Sequence, residues 1–196
     1  MTQACIALDG KAAITLQALG AALGAFKGRF AGEWQQRQKP RKTVIIDSAN
    51  FPTDRYILAG IAQQFGLNLV TLNNDGMGGP GAVDVEHDCE LISPAELEKH
   101  LSDDVAFVTL QAIQYRSGGR PDIKGITDVA RKHGALVIWD CSHAVGSVPL
   151  EFDAWGVDYA VGCSYKYLNG GPGAPAWAYV AARHHDTLRN PIPGWL

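Results

Sequence analysis

The chain has 196 residues, with 17 Lys and Arg against 20 Asp and Glu, a formal net charge of −3, and 46% hydrophobic side chains. That balance fits one globular domain with a real core and excludes a disordered segment, while the lack of a dense basic run or of an apolar run of ~18–20 residues argues against nucleic-acid binding and a membrane span. Cys5, Cys89, Cys141 and Cys163 are scattered without a CxxC pair or metal-like spacing to histidine, so they read as reduced thiols in a cytoplasmic protein rather than as a disulfide scaffold or metal module.

Taken in chain order, the first element is an Ala- and Leu-rich helix over Ala12–Phe26. The basic cluster Arg37, Lys39, Arg41 and Lys42 reads as a solvated turn. Thr43–Asp47 is a strand, and a helix capped by Thr53 or Asp54 runs to about Phe65, with Gly66 as its stop. Asn68–Leu72 is the next strand, followed by a glycine-rich loop over Asp75–Gly81. Ser93-Pro94-Ala95-Glu96 has the form of a capping box with proline at the first helical position. Val105–Leu110 is a strand, Asp122 caps a helix reaching His133 before Gly134, and Ala135–Asp140, Val157–Val161 and Ala176–Val180 complete the strands. These runs are short, rich in Val and Ile and apolar on both faces, as in a sheet covered on both sides. Strand and helix alternate, which predicts an α/β fold with a mainly parallel sheet. The chain closes on Pro191-Ile192-Pro193-Gly194-Trp195-Leu196, a turn pointing onward, and is expected to be a fragment.

In open α/β sheets, ligands gather beyond the carboxyl ends of the strands. Asp140 ends one strand and His143 follows three residues later. A carboxylate and imidazole so placed can do acid–base work, bind a metal or hold a cofactor nitrogen, and Asp140 can equally be the cap of a turn. Lys166 lies between Tyr165 and Tyr167, just past the next strand and ahead of Asn169-Gly170-Gly171-Pro172-Gly173. Packed there, its ammonium would lose water and become a Schiff-base nucleophile, and the glycines would let backbone approach a planar ligand. Asp140, His143 and Lys166 together are what pyridoxal phosphate requires: an amine to hold it, and a carboxylate to keep its pyridine nitrogen protonated.

The segments Trp139–Pro149, Asp153–Ala160 and Gly162–Gly173, together with Asn50-Phe51-Pro52-Thr53-Asp54 and Gly194-Trp195, resemble the kynureninase family in the expected order. The resemblance covers roughly residues 43–196. It implies the aspartate-aminotransferase-like fold (fold type I), a three-layer α/β/α large domain of which residues 1–196 are a single, partial pyridoxal-phosphate-binding unit. It implies a homodimer that cleaves L-kynurenine or 3-hydroxykynurenine hydrolytically, giving anthranilate or 3-hydroxyanthranilate and L-alanine in tryptophan catabolism. Lys166 then matches the Schiff-base lysine and proton carrier, Asp140 the partner of the pyridine nitrogen, and His143 a neighbour of the phenolic oxygen. Phe51 matches the aromatic stacked on the ring, Asp54 a second carboxylate near the ring nitrogen, Tyr165 a phosphate ligand and proton donor, and Trp195 a phosphate-binding indole.

Two departures stand out. Asp9–Leu16 has alanines where the family has phosphate-binding hydroxyls, and Gln111 stands where the family carries Ser or Thr. The arginine expected to bind the substrate carboxylate belongs to the family's C-terminal small domain, which is expected to be missing. The competing readings are a related lyase such as a cysteine desulfurase, which needs a mobile catalytic cysteine, and a non-catalytic remnant that binds cofactor or dimerises.

Overall fold

A computed structural model of the chain describes residues 41–85 and 90–186. The expected Ala12–Phe26 helix, the terminal turn, Trp195, Cys5, Cys89 and the Asp9–Leu16 stretch lie outside the described residues.

Among the described residues, seven strands form one sheet: β1 (Thr43–Asp47), β2 (Asn68–Asn73), β3 (Val83–Asp84), β4 (Val105–Gln111), β5 (Leu136–Asp140), β6 (Tyr159–Cys163) and β7 (Ala176–Val180). Their order across the sheet is β3-β2-β1-β4-β5-β6-β7. All neighbours pair in parallel except β6 and β7, which are antiparallel. Successive strands step outward from β1 in one direction and from β4 in the other, so the order reverses between β1 and β4. Such a reversal opens a crevice at the carboxyl ends of the strands.

Among the described residues, three α-helices cover the sheet. Helix α1 (Pro52–Phe65) lays Leu58 and Ile61 on Val44, Ile46, Phe107, Leu136 and Ile138. Helices α2 (Pro94–Glu98) and α3 (Ile123–Lys132) pack Leu97, Ile123, Ile126 and Ala130 on the other face, against Ile45, Val108, Val137 and Trp139. Alternate side chains of each strand therefore enter opposite cores, and both must be apolar. The three-layer α/β/α class expected from the sequence is the one observed. Trp139, fully buried, donates its indole N–H to Thr127 Oγ1 at 3.1 Å, so a large apolar body enters the core with its polar atom paired.

Ser93 and Asp122 cap α2 and α3 as expected, accepting from Glu96 N at 3.1 Å and Gly125 N at 2.9 Å. The capping of α1 differs. Phe51 occupies the N-cap with no side-chain bond, and Thr53 and Asp54 sit inside the first turn. Pro52 supplies the reason: its fixed φ starts the helix there, which puts Thr53 and Asp54 inside the turn, and the Asp54 N–H donates to Phe51 O at 3.0 Å. Strand β6 also begins two residues later than expected. Asp158, placed just before it, is drawn out of the ladder by three partners: Val137 N (3.2 Å), Arg183 Nη2 (2.7 Å) and His184 Nε2 (2.7 Å). At its far end β6 continues through Gly162 because the Trp177 indole lies over that residue, where a Cβ would come within 2.6 Å of the ring.

Burial pushes the Asp158 carboxyl up, but the His184 and Arg183 hydrogen bonds outweigh it and hold the group below the usual carboxylate range. Its stabilising effect is thus fully present above about pH 4 and is lost as the pH falls through the lower, folded-state value. Asp158→Ala should cost about 3 kcal/mol near neutrality, with the gap to the parent chain narrowing below about pH 4, as read from denaturant melts across pH.

Candidate active site

Four parallel strands bring their carboxyl ends to one edge of the sheet, and the segments that leave them build the site. After β1, the chain turns through Asn50, whose side-chain oxygen accepts from Phe51 N at 2.8 Å. Ala49 is held from both sides, its N–H donating to Asn74 Oδ1 at 3.0 Å and its carbonyl accepting from Gln114 Nε2 at 2.5 Å. This presents the half-buried Phe51 at the mouth and sets Asp54, buried, in the first turn of α1.

After β5, the chain closes a tight helical turn, with Ala144 N and Val145 N donating to Cys141 O at 3.0 and 2.9 Å. Asp140 is buried; its Oδ1 accepts from Ser142 N at 3.0 Å and its Oδ2 from Gln111 Nε2 at 3.4 Å. Both donors are neutral. The carboxylate is oriented without being neutralised by them. Gln111 stands directly opposite Asp140 in the β4–β5 register, which is why its amide reaches that group.

After β6, the chain forms a loop fastened at its base by Ser164, whose N–H and hydroxyl both donate to Pro175 O. Gly170 N returns to Ser164 O at 2.9 Å, and Asn169 adopts a left-handed φ of 57°. Lys166 projects from this loop, half-buried, with Nζ 2.7 Å from His143 Nε2 and 5.7 Å from the centres of the Phe51 and Tyr165 rings. The contact depends on how closely the two loops approach. At Gly146 (φ 82°), a Cβ would stand 2.6 Å from the Tyr167 carbonyl oxygen, so only glycine lets the His143 turn meet the lysine loop.

Of the residues singled out from sequence, Lys166, His143, Phe51 and Tyr165 are thus drawn together. Asp140 and Asp54 are buried on the segments that carry His143 and Phe51. Tyr165 is 46% exposed, and Lys166 is only half-buried, not enclosed as its sequence position suggested. Tyr115 escaped notice in the sequence. Its ring meets Phe51 edge-on at 5.1 Å and lies 6.5 Å from His143, with Arg116 5.5 Å above it. Arg116 pairs with Asp75 at 2.5 Å and Glu90 at 3.2 Å, tying three segments together beside the aromatic pair. Although burial opposes it, bonds from Ser48 and Arg116 hold the Asp75 carboxyl below its usual range. The signal for Tyr115 in the sequence is position: it stands four residues past the carboxyl end of β4.

An open α/β sheet with a lysine, an imidazole and a buried carboxylate on successive strand ends defines a fold-type-I architecture, and the chain belongs to the aminotransferase class-V family, whose model matches residues 29–180. It is 37% identical over 163 residues to kynureninase from Burkholderia pseudomallei, covering 82% of this chain and 35% of the relative. It is 36% identical over 188 residues to kynureninase from Deinococcus radiodurans, covering 96% of this chain and 38% of the relative. The chain therefore spans a little over a third of the length of these curated relatives.

Among solved structures, alanine–glyoxylate aminotransferase from Nostoc sp. aligns with a TM-score of 0.58 at 26% identity, over 86% of this chain and 39% of that one. A C-DES mutant with glycine covalently linked to its PLP cofactor shares the fold, with a TM-score of 0.62 at 18% identity, over 94% of this chain and 50% of that one. The resemblance, the fold class and pyridoxal phosphate as the family's cofactor are borne out by these likenesses. The described residues fit that group chemically: an amine within reach of an imidazole, a buried carboxylate oriented by neutral donors, and an aromatic face beside them.

Gly146→Ala should force the two loops apart, lowering stability by about 1–3 kcal/mol in denaturant melts and lengthening the Lys166–His143 contact in a crystal structure of the variant.

Proposed function

We propose that this chain is the cofactor-holding part of a pyridoxal-phosphate hydrolase that cleaves the Cβ–Cγ bond of L-kynurenine or its 3-hydroxy derivative. In this reading it releases anthranilate, or 3-hydroxyanthranilate, and L-alanine, works in the cytoplasm in tryptophan catabolism, and pairs as a homodimer. The observation that carries the reading is the 2.7 Å contact between Lys166 Nζ and His143 Nε2 beside a buried Asp140, in a chain 36–37% identical to kynureninases.

Lys166, Asp140, His143, Phe51, Asp54 and Tyr165 would hold the cofactor, with Trp195 expected to add to the set from outside the described residues. When bound, the cofactor supplies an electron sink for the carbon from which a proton is taken. Lys166 would attach to it through Nζ and, once displaced by the substrate amine, carry the proton to and from the substrate's α-carbon. His143 is placed to exchange a proton with Nζ at hydrogen-bond distance. Asp140 would hold the ring-nitrogen proton, its own oxygens fixed by Ser142 N and Gln111 Nε2. Phe51, braced edge-on by Tyr115, would present an apolar face. The half-exposed Tyr165 phenol would donate a proton to the carbon released by cleavage.

With pyridoxal phosphate added, the purified chain should gain the visible absorption band of a lysine-bound cofactor, and Lys166→Ala should lose it. Adding L-kynurenine should then release fluorescent anthranilate. If no band forms in the parent chain, the reading of this chain as a cofactor-holding part fails.

A further inference from the structure

Beside the site, where strand order reverses, a second pocket opens between the ends of β1 and β4. Asp47, Glu90, Gln111 and Gln114 line it, with Ile92 and Leu110 among its apolar walls. Its interior space is about 10 Å³, room for a single water-sized or ion-sized occupant and far too little for an organic molecule. Three oxygens of this lining are buried and accept no hydrogen bond: Asp47 Oδ1, Glu90 Oε2 and Gln111 Oε1. Asp47 and Gln111 are each only 5% exposed. Acceptors left so in a protein interior are costly and call for a donor or a cation.

The neighbouring groups do not supply one. Arg116 meets Glu90 through Oε1, leaving Oε2. Gln114 donates an amide N–H to Ala49 O and accepts from Arg116 N through Oε1. Asn74 Nδ2 takes the other oxygen of Asp47, at 3.1 Å. Burial pushes the Asp47 carboxyl up to about 6, against the partial relief of the Asn74 and Asn50 amides. Reversing the Gln111 amide would not help, because its carbonyl would then face the Asp140 carboxylate instead of donating to it.

We propose that this pocket binds a monovalent cation (potassium, sodium or ammonium) through Asp47 Oδ1, Glu90 Oε2 and Gln111 Oε1, and that Gln111 couples the ion to Asp140. The donors are all oxygens, and one of the two carboxylates is already shared with an arginine, so the local charge suits a single positive charge. Among the described residues, no cluster of three His, Cys, Asp or Glu offers a stronger metal site. An ion on Gln111 Oε1 polarises the amide and strengthens the bond from Nε2 to Asp140. The ion site stands on its own geometry; its effect on cofactor chemistry rests on the reading proposed above.

The test is thermal melting of the full chain, free of cofactor, in potassium, sodium or ammonium chloride against tetramethylammonium chloride at equal ionic strength. At least one of the three small cations should raise the midpoint saturably, by about 3–6 °C at ten times its dissociation constant. Gln111→Met and Asp47→Asn should each remove that response. With pyridoxal phosphate bound, the same ion should shift the visible spectrum of the parent chain and not that of Gln111→Met. Equal melting in all four salts, or a response surviving in both variants, overturns the proposal and leaves a pocket filled by water. An ion response with no visible band in any salt keeps the ion site and discards the cofactor reading instead.

Discussion

Parallel pairing of β1, β4, β5 and β6 is the constraint from which the site follows. Once neighbouring strands run the same way, every carboxyl end lies on one edge, and every return crossing must leave from it. Register then decides which side chains face each other. Gln111 falls opposite Asp140, and Asp140 opposite Val161, two residues before the end of β6. Lysine and histidine, 23 positions apart in sequence, reach 2.7 Å because two consecutive strand ends are neighbours in the sheet. The antiparallel β7 adds no segment to that edge. Its start anchors the lysine loop instead, through the Pro175 carbonyl.

The two edges of the sheet treat buried charge in opposite ways. Near the amino end of β6, Asp158 receives Arg183, His184 and a backbone N–H, and its carboxyl is held below the usual range despite burial. At the opposite edge, Asp140 accepts from an amide and a backbone N–H, and Asp47 is raised to about 6 with one oxygen unpartnered. The first arrangement stabilises the fold. The second leaves a buried oxygen of Asp47 without a cationic partner, at a cost in stability that the apolar layers on both faces offset.

Much of this was legible because strand ends are marked by simple changes in composition. Asp140 and Lys166 stand where apolar runs stop, and a search limited to such positions finds them without knowing the fold. Ser93 and Asp122 were readable as caps because their bonds span only three residues. Long-range partners carry no such local mark. Asp158, just before the later start of β6, is held by residues 21 to 26 positions away, and Arg116 reaches Asp75 across 41. The α1 cap was misread for a different reason: Thr53 and Asp54 have the right chemistry, but Pro52 ahead of them had already started the helix. Gln111 was noticed as a departure from the family, while its bond to Asp140 and its place in the second pocket needed the register.

The two described thiols are structural groups rather than reactive ones. A desulfurase needs a cysteine that can ionise and move to its substrate, and reactivity of that kind requires exposure and a lowered thiol pKa. Both described cysteines fail on exposure. Cys141 and Cys163 are at most 1% exposed, and burial, with the Asp140 charge added, pushes the Cys141 thiol well above its ordinary range. Cys163 is further engaged by the Ser142 carbonyl at 3.9 Å. Their position immediately around Asp140 and the start of the lysine loop suits small apolar side chains that seat those two segments. Among the described residues, the groups able to move protons near Lys166 are therefore an imidazole and a phenol. That inventory supports proton transfer beside Lys166.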